Sequence, residues 1–175
     1  YSEELMTRSI VVYSLGKTLH NTGWKLGYIV AHQAFTKEIR KLHQFTVFSV
    51  NTPAQYAVAK FLDKQPAFFD ELPEFYQQKR DYFFSLVSGI GMEWLPSKGS
   101  YFMLASFKKL SNQSDVQLAE TLTQNNGVAC IPISAFYHNG YDPKILRFCF
   151  AKEEKTLKEA SVRLERININ NIFNQ

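Results

Sequence analysis

The stretch Ser14-Leu15-Gly16-Lys17-Thr18-Leu19-His20-Asn21-Thr22-Gly23-Trp24-Lys25-Leu26-Gly27 constrains this chain more than any other. It follows Ser9-Ile10-Val11-Val12-Tyr13, a short apolar run rich in β-branched residues, and so predicts a strand ending in a tight turn at Gly16. Lys17 then stands at the mouth of a strand, where loops carry chemistry on a rigid base. Ser14 offers a hydroxyl just before it, and Lys25 a second cation after it. Gly16, Gly23 and Gly27 let backbone approach a ligand closely. A hydroxyl, two ammonium groups and open backbone suit a ligand bearing both a phosphate and a carbonyl. The ordinary alternatives are a solvated lysine at 17, a local backbone cap at Ser14 and a solvated charge at Lys25 beside Trp24.

The rest of the chain alternates strand and helix patterns. Residues 1–8 read as a connection, and Tyr28-Ile29-Val30-Ala31 as a second strand. Phe35, Ile39 and Leu42 recur at helical spacing. Thr52-Pro53 marks a helix start by hydroxyl cap and proline, with Ala54, Ala57, Val58, Phe61 and Leu62 on one face. Pro66 and Pro73 predict interruptions before a longer helix over 74–88, which turns Phe75, Tyr82, Phe83, Leu86 and Val87 inward. Strands are expected over 92–96 and 100–107 around a Ser97-Lys98-Gly99 turn, and again over 128–133 and 145–151. A helix over 115–124 aligns Val116, Ala119 and Leu122, and a last helix over 153–167 aligns Leu157, Ala160, Leu164 and Ile167. Residues 168–175 read as a frayed tail. The alternation predicts a layered α/β or α+β fold.

Composition removes several classes of function. An apolar fraction of 45% with 15% aromatics supports a packed core in a chain of 175 residues. The net charge of +4 is spread thinly, without the basic runs that favour nucleic acid. No apolar run approaches the roughly 20 residues that span a bilayer, nothing resembles a signal peptide, and a cytoplasmic location is the expectation. Cys130 and Cys149 lie in apolar runs and read as free thiols. His20, His32, His43 and His138 lack metal-ligand spacing, so no metal is expected.

Ser14-x-Gly16-Lys17, followed after five residues by Gly23-Trp24-Lys25-x-Gly27, resembles the Schiff-base lysine signature of class I (fold type I) pyridoxal-phosphate aminotransferases. The likeness is to the kynurenine/glutamine aminotransferase branch and its bacterial methionine aminotransferase relatives. It continues through His43-Gln44, Phe48-Ser49-Val50-Asn51-Thr52-Pro53-Ala54-Gln55, Lys98-Gly99-Ser100-Tyr101-Phe102 and Leu146-Arg147-Phe148-Cys149-Phe150-Ala151. The resemblance implies the C-terminal portion of an α/β fold type I transferase. Residues 1–51 would end the large cofactor domain, and residues 52–175 would form the linking helix and small α+β C-terminal domain.

Carried onto this sequence, the resemblance makes Lys17 the catalytic lysine, holding pyridoxal 5'-phosphate and moving a proton at the substrate Cα. Ser14 and Lys25 would hold the cofactor phosphate; many relatives carry arginine where Lys25 stands. Arg147 would clamp the substrate α-carboxylate with its planar fork, against the alternative of a structural ion pair. Phe48 would line the substrate side-chain pocket, that of the neighbouring subunit in a homodimer, with Tyr101 and Phe102 packed beneath. Some kynurenine-type relatives carry histidine where Ser49 stands, so the pattern tilts toward methionine and other apolar or aromatic amino acids, with a 2-oxo acid as acceptor. The family's residues before the lysine, including its pyridine-nitrogen aspartate, are not among these motifs, which implies a poorly active chain. Two alternatives remain open: a cysteine-conjugate or cystathionine β-lyase on the same scaffold, and a noncatalytic folded fragment.

Overall fold

The structure is a computed structural model in which residues 2–166 are described. The chain divides into two compact units, the first ending at Phe68 and the second beginning at Phe69.

The first unit opens with a short helix, α1 (Glu3–Thr7), in the segment expected to be a mere connection. Ser2 caps it by accepting a hydrogen bond from the Leu5 N–H, and Glu3 and Glu4 complement its N-terminal dipole. Strands β1 (Ile10–Ser14) and β2 (Gly27–Ala31) pair antiparallel, Ile10 opposite Ala31 and Ser14 opposite Gly27. Tyr13 and Tyr28 stack across the ladder with ring centroids 4.7 Å apart. Between the strands lie the single-turn helix α2 (Leu15–Thr18) and a 3₁₀ turn, Thr22–Trp24. Helices α3 (Gln33–Thr46) and α4 (Thr52–Lys64) follow. The α4 cap is Asn51, whose side-chain oxygen accepts from the Ala54 N–H at 3.1 Å; Thr52, expected to be the cap, is already inside the helix. Leu26, Ala54 and Val58 form a small core with Leu15, Leu19, Val50 and Leu62 around it.

The second unit is built on a four-stranded antiparallel sheet in the order β3-β4-β6-β5. Its strands are β3 (Glu93–Leu95), β4 (Phe102–Ser106), β5 (Ile131–Pro132) and β6 (Ile145–Cys149). Helices α5 (Phe68–Val87), α6 (Asp115–Asn126) and α7 (Glu154–Glu165) complete it. Side chains alternate across a strand. Met103, Ala105, Leu146 and Phe148 therefore enter the core with Phe83, Val87, Leu118, Leu122, Leu157 and Leu164. The residues between them, Arg147 included, face the other side of the sheet and are only half-buried.

Three expectations need correction here. The helix runs through Pro73, because a proline removes one backbone hydrogen bond and the rest of a long amphipathic helix offsets that loss. Phe75 and Val116 are exposed; at α6 the inward face is carried by Leu118, Ala119 and Leu122. The strand expected over 128–133 shrinks to Ile131–Pro132, since Pro132 offers no N–H to a ladder and the chain turns at once into a 3₁₀ segment, Ile133–Phe136. Helix α4 lies in the first unit. Ile167 and the expected frayed tail fall outside the described residues.

Candidate active site

Ser14 is both the last residue of β1 and the N-cap of α2: its hydroxyl oxygen accepts from the Gly16 N–H at 3.3 Å, and its carbonyl accepts from the Thr18 hydroxyl at 3.3 Å. The Ser14 hydroxyl proton remains able to donate to a ligand. Gly16 is buried, with its carbonyl taking bonds from the Asn21 N–H at 2.9 Å and the Thr22 hydroxyl at 3.2 Å. Its neighbour Lys17 is thereby presented outward on a rigid single turn, its side chain exposed. Lys25 is exposed in left-handed conformation at φ 54°, directly before Leu26, whose carbonyl accepts the Leu15 N–H at 3.0 Å. Neither ammonium has an ionic partner among the described residues. Gly27 must be glycine, because a Cβ there would collide with the Tyr13 carbonyl oxygen. Ser14, Lys17 and Lys25 thus share one loop closed by the β1–β2 ladder. A hydroxyl donor, two unpaired cations and close-approach glycines fit a phosphate-bearing aldehyde.

Phe48 lies just beyond α3 at φ 63°, its N–H bonded to the His43 carbonyl at 2.8 Å. Glycine usually takes that conformation at a helix end. A bulky residue there costs about 1–2 kcal/mol, and with 76% of its surface exposed Phe48 recovers little of that by burial.

Arg147 belongs to the second unit. It stands opposite Leu104 on one neighbouring strand and Ile131 on the other. Its guanidinium carbon lies 4.0 Å from the Phe102 ring centroid and 4.8 Å from that of Phe136, so both rings flank the fork. No carboxylate of the described residues pairs with it, and its Nε is buried without a hydrogen-bond partner. A structural ion pair is therefore absent here among the described residues. What remains is a guanidinium positioned by two rings, half-buried and with its Nε short of an acceptor, a group whose fork a carboxylate would suit. Tyr101 packs on Phe102 at 4.5 Å and on Tyr76 at 5.9 Å. Phe136 escaped the sequence reading, and nothing in the sequence signals that a residue beyond Pro132 returns to Arg147.

The sequence profile "Aminotransferase class I and II" matches residues 3–164. The methionine aminotransferase of Escherichia coli strain K12 is 45% identical over 94% of this chain and 42% of its own length. Kynurenine–oxoglutarate transaminase 1 of Mus musculus is 31% identical over 90% of this chain and 42% of its own length. The crystal structure of YbdL from Escherichia coli, identified as having a methionine aminotransferase function, superposes with a TM-score of 0.89 at 44% identity, covering 95% of this chain and 44% of that one. The chain thus spans about 42% of the length of the curated relatives it matches. Among the described residues no helix is long and apolar enough to cross a membrane.

Proposed function

Because this chain belongs to the class I and II aminotransferase family, we propose that its activity is amino-group transfer from methionine or another apolar or aromatic amino acid to a 2-oxo acid, with pyridoxal phosphate as cofactor. The observation that carries the reading is Arg147: a guanidinium held between two rings, its Nε buried and unpartnered. A planar anion would complete such a fork, and the substrates of transamination share a carboxylate.

Each residue then has a task. Ser14 would donate to the cofactor phosphate, and Lys25 would neutralise part of its charge. Lys17 would hold the cofactor at its carbonyl carbon, and its Nζ would take and return the proton of the substrate Cα. The bound cofactor supplies an electron sink that makes that proton acidic. Arg147 binds the α-carboxylate through two parallel N–H···O bonds and fixes the orientation of the amino acid. Phe48, held in a strained exposed conformation, contributes to the side-chain pocket of a homodimer, and the whole operates in the cytoplasm.

The test is a titration of the purified chain with pyridoxal phosphate, followed by borohydride reduction and peptide mass mapping. A saturable visible band with label on Lys17 alone is expected, and with methionine plus a 2-oxo acid the product should retain its sulfur. Slow label scattered over several lysines overturns the assignment. A second reading, that the chain alone folds but turns over poorly, is favoured by the bare apolar surface of the first unit. Val12 is 71% exposed and Phe45 86%, and sedimentation should then show self-association.

A further inference from the structure

We propose that Asp115 is a positioning residue for the carboxylate fork: by pinning Ser134 it holds Phe136 against Arg147. The proposal rests on Arg147 as the substrate-carboxylate clamp. Asp115 is fully buried. One carboxylate oxygen accepts the Ser134 N–H at 2.8 Å, and the other accepts the Ser134 hydroxyl at 2.6 Å. No cation pairs with it among the described residues, although it opens α6 and so faces a positive helix end.

A buried carboxylate without an ion partner is costly, and an apolar residue would fill the space more cheaply. Capping does not explain it either. Ser114 already caps α6, receiving the Gln117 N–H at 3.2 Å while the Gln117 side chain accepts the Ser114 N–H at 3.0 Å. Both oxygens of Asp115 are instead spent on one residue of the 3₁₀ segment Ile133–Phe136.

Beyond its packing beside α6 and β6, few hydrogen bonds hold that segment. It leaves the sheet after the two-residue strand β5, and its own turn is closed by the Tyr137 N–H to the Ser134 carbonyl at 3.0 Å. Phe136 is 60% exposed, so burial does not fix its ring. The other flank of Arg147 differs, because Phe102 sits within β4, laddered to β6 along its length. One ring is therefore set by the sheet, and the other by the Asp115–Ser134 tie. Loosening that tie leaves the guanidinium plane free to turn on one side, and a two-bond fork tolerates such turning poorly.

The test labels arginine side chains with 15N in the full chain and follows the Arg147 Nε–H resonance, which lies in the ring currents of Phe102 and Phe136. L-Methionine is the probe for the carboxylate. In Asp115→Asn an N–H donor can face the Ser134 N–H, and Ser134→Ala removes the hydroxyl. Both should move the free resonance toward its position in Phe136→Ala and weaken methionine binding about 10-fold, the loss of one charge-assisted hydrogen bond at its weaker end. Ala119→Gly destabilises the same helix without touching Ser134, and should lower the melting temperature while leaving resonance and affinity unchanged. If Asp115→Asn does not fold, Ser134→Ala decides. Wild-type resonance and affinity in Ser134→Ala and Asp115→Asn would overturn the positioning role with the clamp intact. A wild-type Arg147 signal indifferent to methionine removes the clamp, and this inference with it.

Discussion

Replacing Arg147 with methionine separates a functional arginine from a structural one. In the native chain the buried Nε has no partner, a deficit worth about 1–3 kcal/mol. The substitution removes that deficit. It also removes two ring contacts at 4.0 and 4.8 Å, worth about 0.5–1 kcal/mol each at a half-exposed site. The methionine sulfur recovers about 0.3–1.5 kcal/mol against the same rings. The sum predicts a stability within about 1 kcal/mol of the native chain, or above it. Ligand response should change far more. A carboxylate ligand at 100 times its Kd stabilises by about 2.7 kcal/mol. In a chain of this size that raises Tm by about 5–10 °C, at roughly 2–4 °C per kcal/mol. Thermal melts with and without L-methionine, on native and R147M protein, give both quantities. The expected result is an unchanged or higher Tm for R147M without ligand and almost no rise with it. A loss of about 3 kcal/mol or more, as follows the breaking of a buried ion pair, with methionine still protecting, would refute the argument.

Two further outcomes follow from local geometry. Gly27→Ala drives a methyl into the Tyr13 carbonyl beside the Ser14–Gly27 pair, so urea unfolding should show a loss of about 1–3 kcal/mol, and borohydride labelling of Lys17 should weaken as Ser14 shifts. Burial pushes the Cys130 thiol up to about 12, so the folded state keeps its proton at a pH where the unfolded thiol has lost it. The unfolded chain then binds fewer protons, stability falls as pH rises through about 9, and Cys130→Ala should flatten that part of the profile.

The parts of the site that were legible in the sequence are those in which chemistry and placement come from the same few residues. Lys17 follows a β-branched run and a glycine, so strand and amine are written together; both strands form, whereas the tight turn expected at Gly16 is the single-turn helix α2. Arg147 was legible for a similar reason. Flanked by Leu146 and Phe148, which the alternation of a strand sends inward, it can only face the opposite side. Pro73 and Val116 misled because propensity and spacing are local, whereas the face a helix buries is chosen by what packs on it. Phe136 and Asp115 were illegible for a stronger reason. Their roles depend on a 3₁₀ turn that folds back toward β6 and on a buried carboxylate reaching Ser134, and neither contact leaves a periodic trace. The division is physical: residues that react must carry a particular functional group and so recur in short patterns, whereas residues that aim them need only reach, and many side chains can do that from many places. Asp115 is informative because it is an exception. A carboxylate spent on aiming is chemically conspicuous once its burial is known, since nothing about packing alone justifies leaving it there.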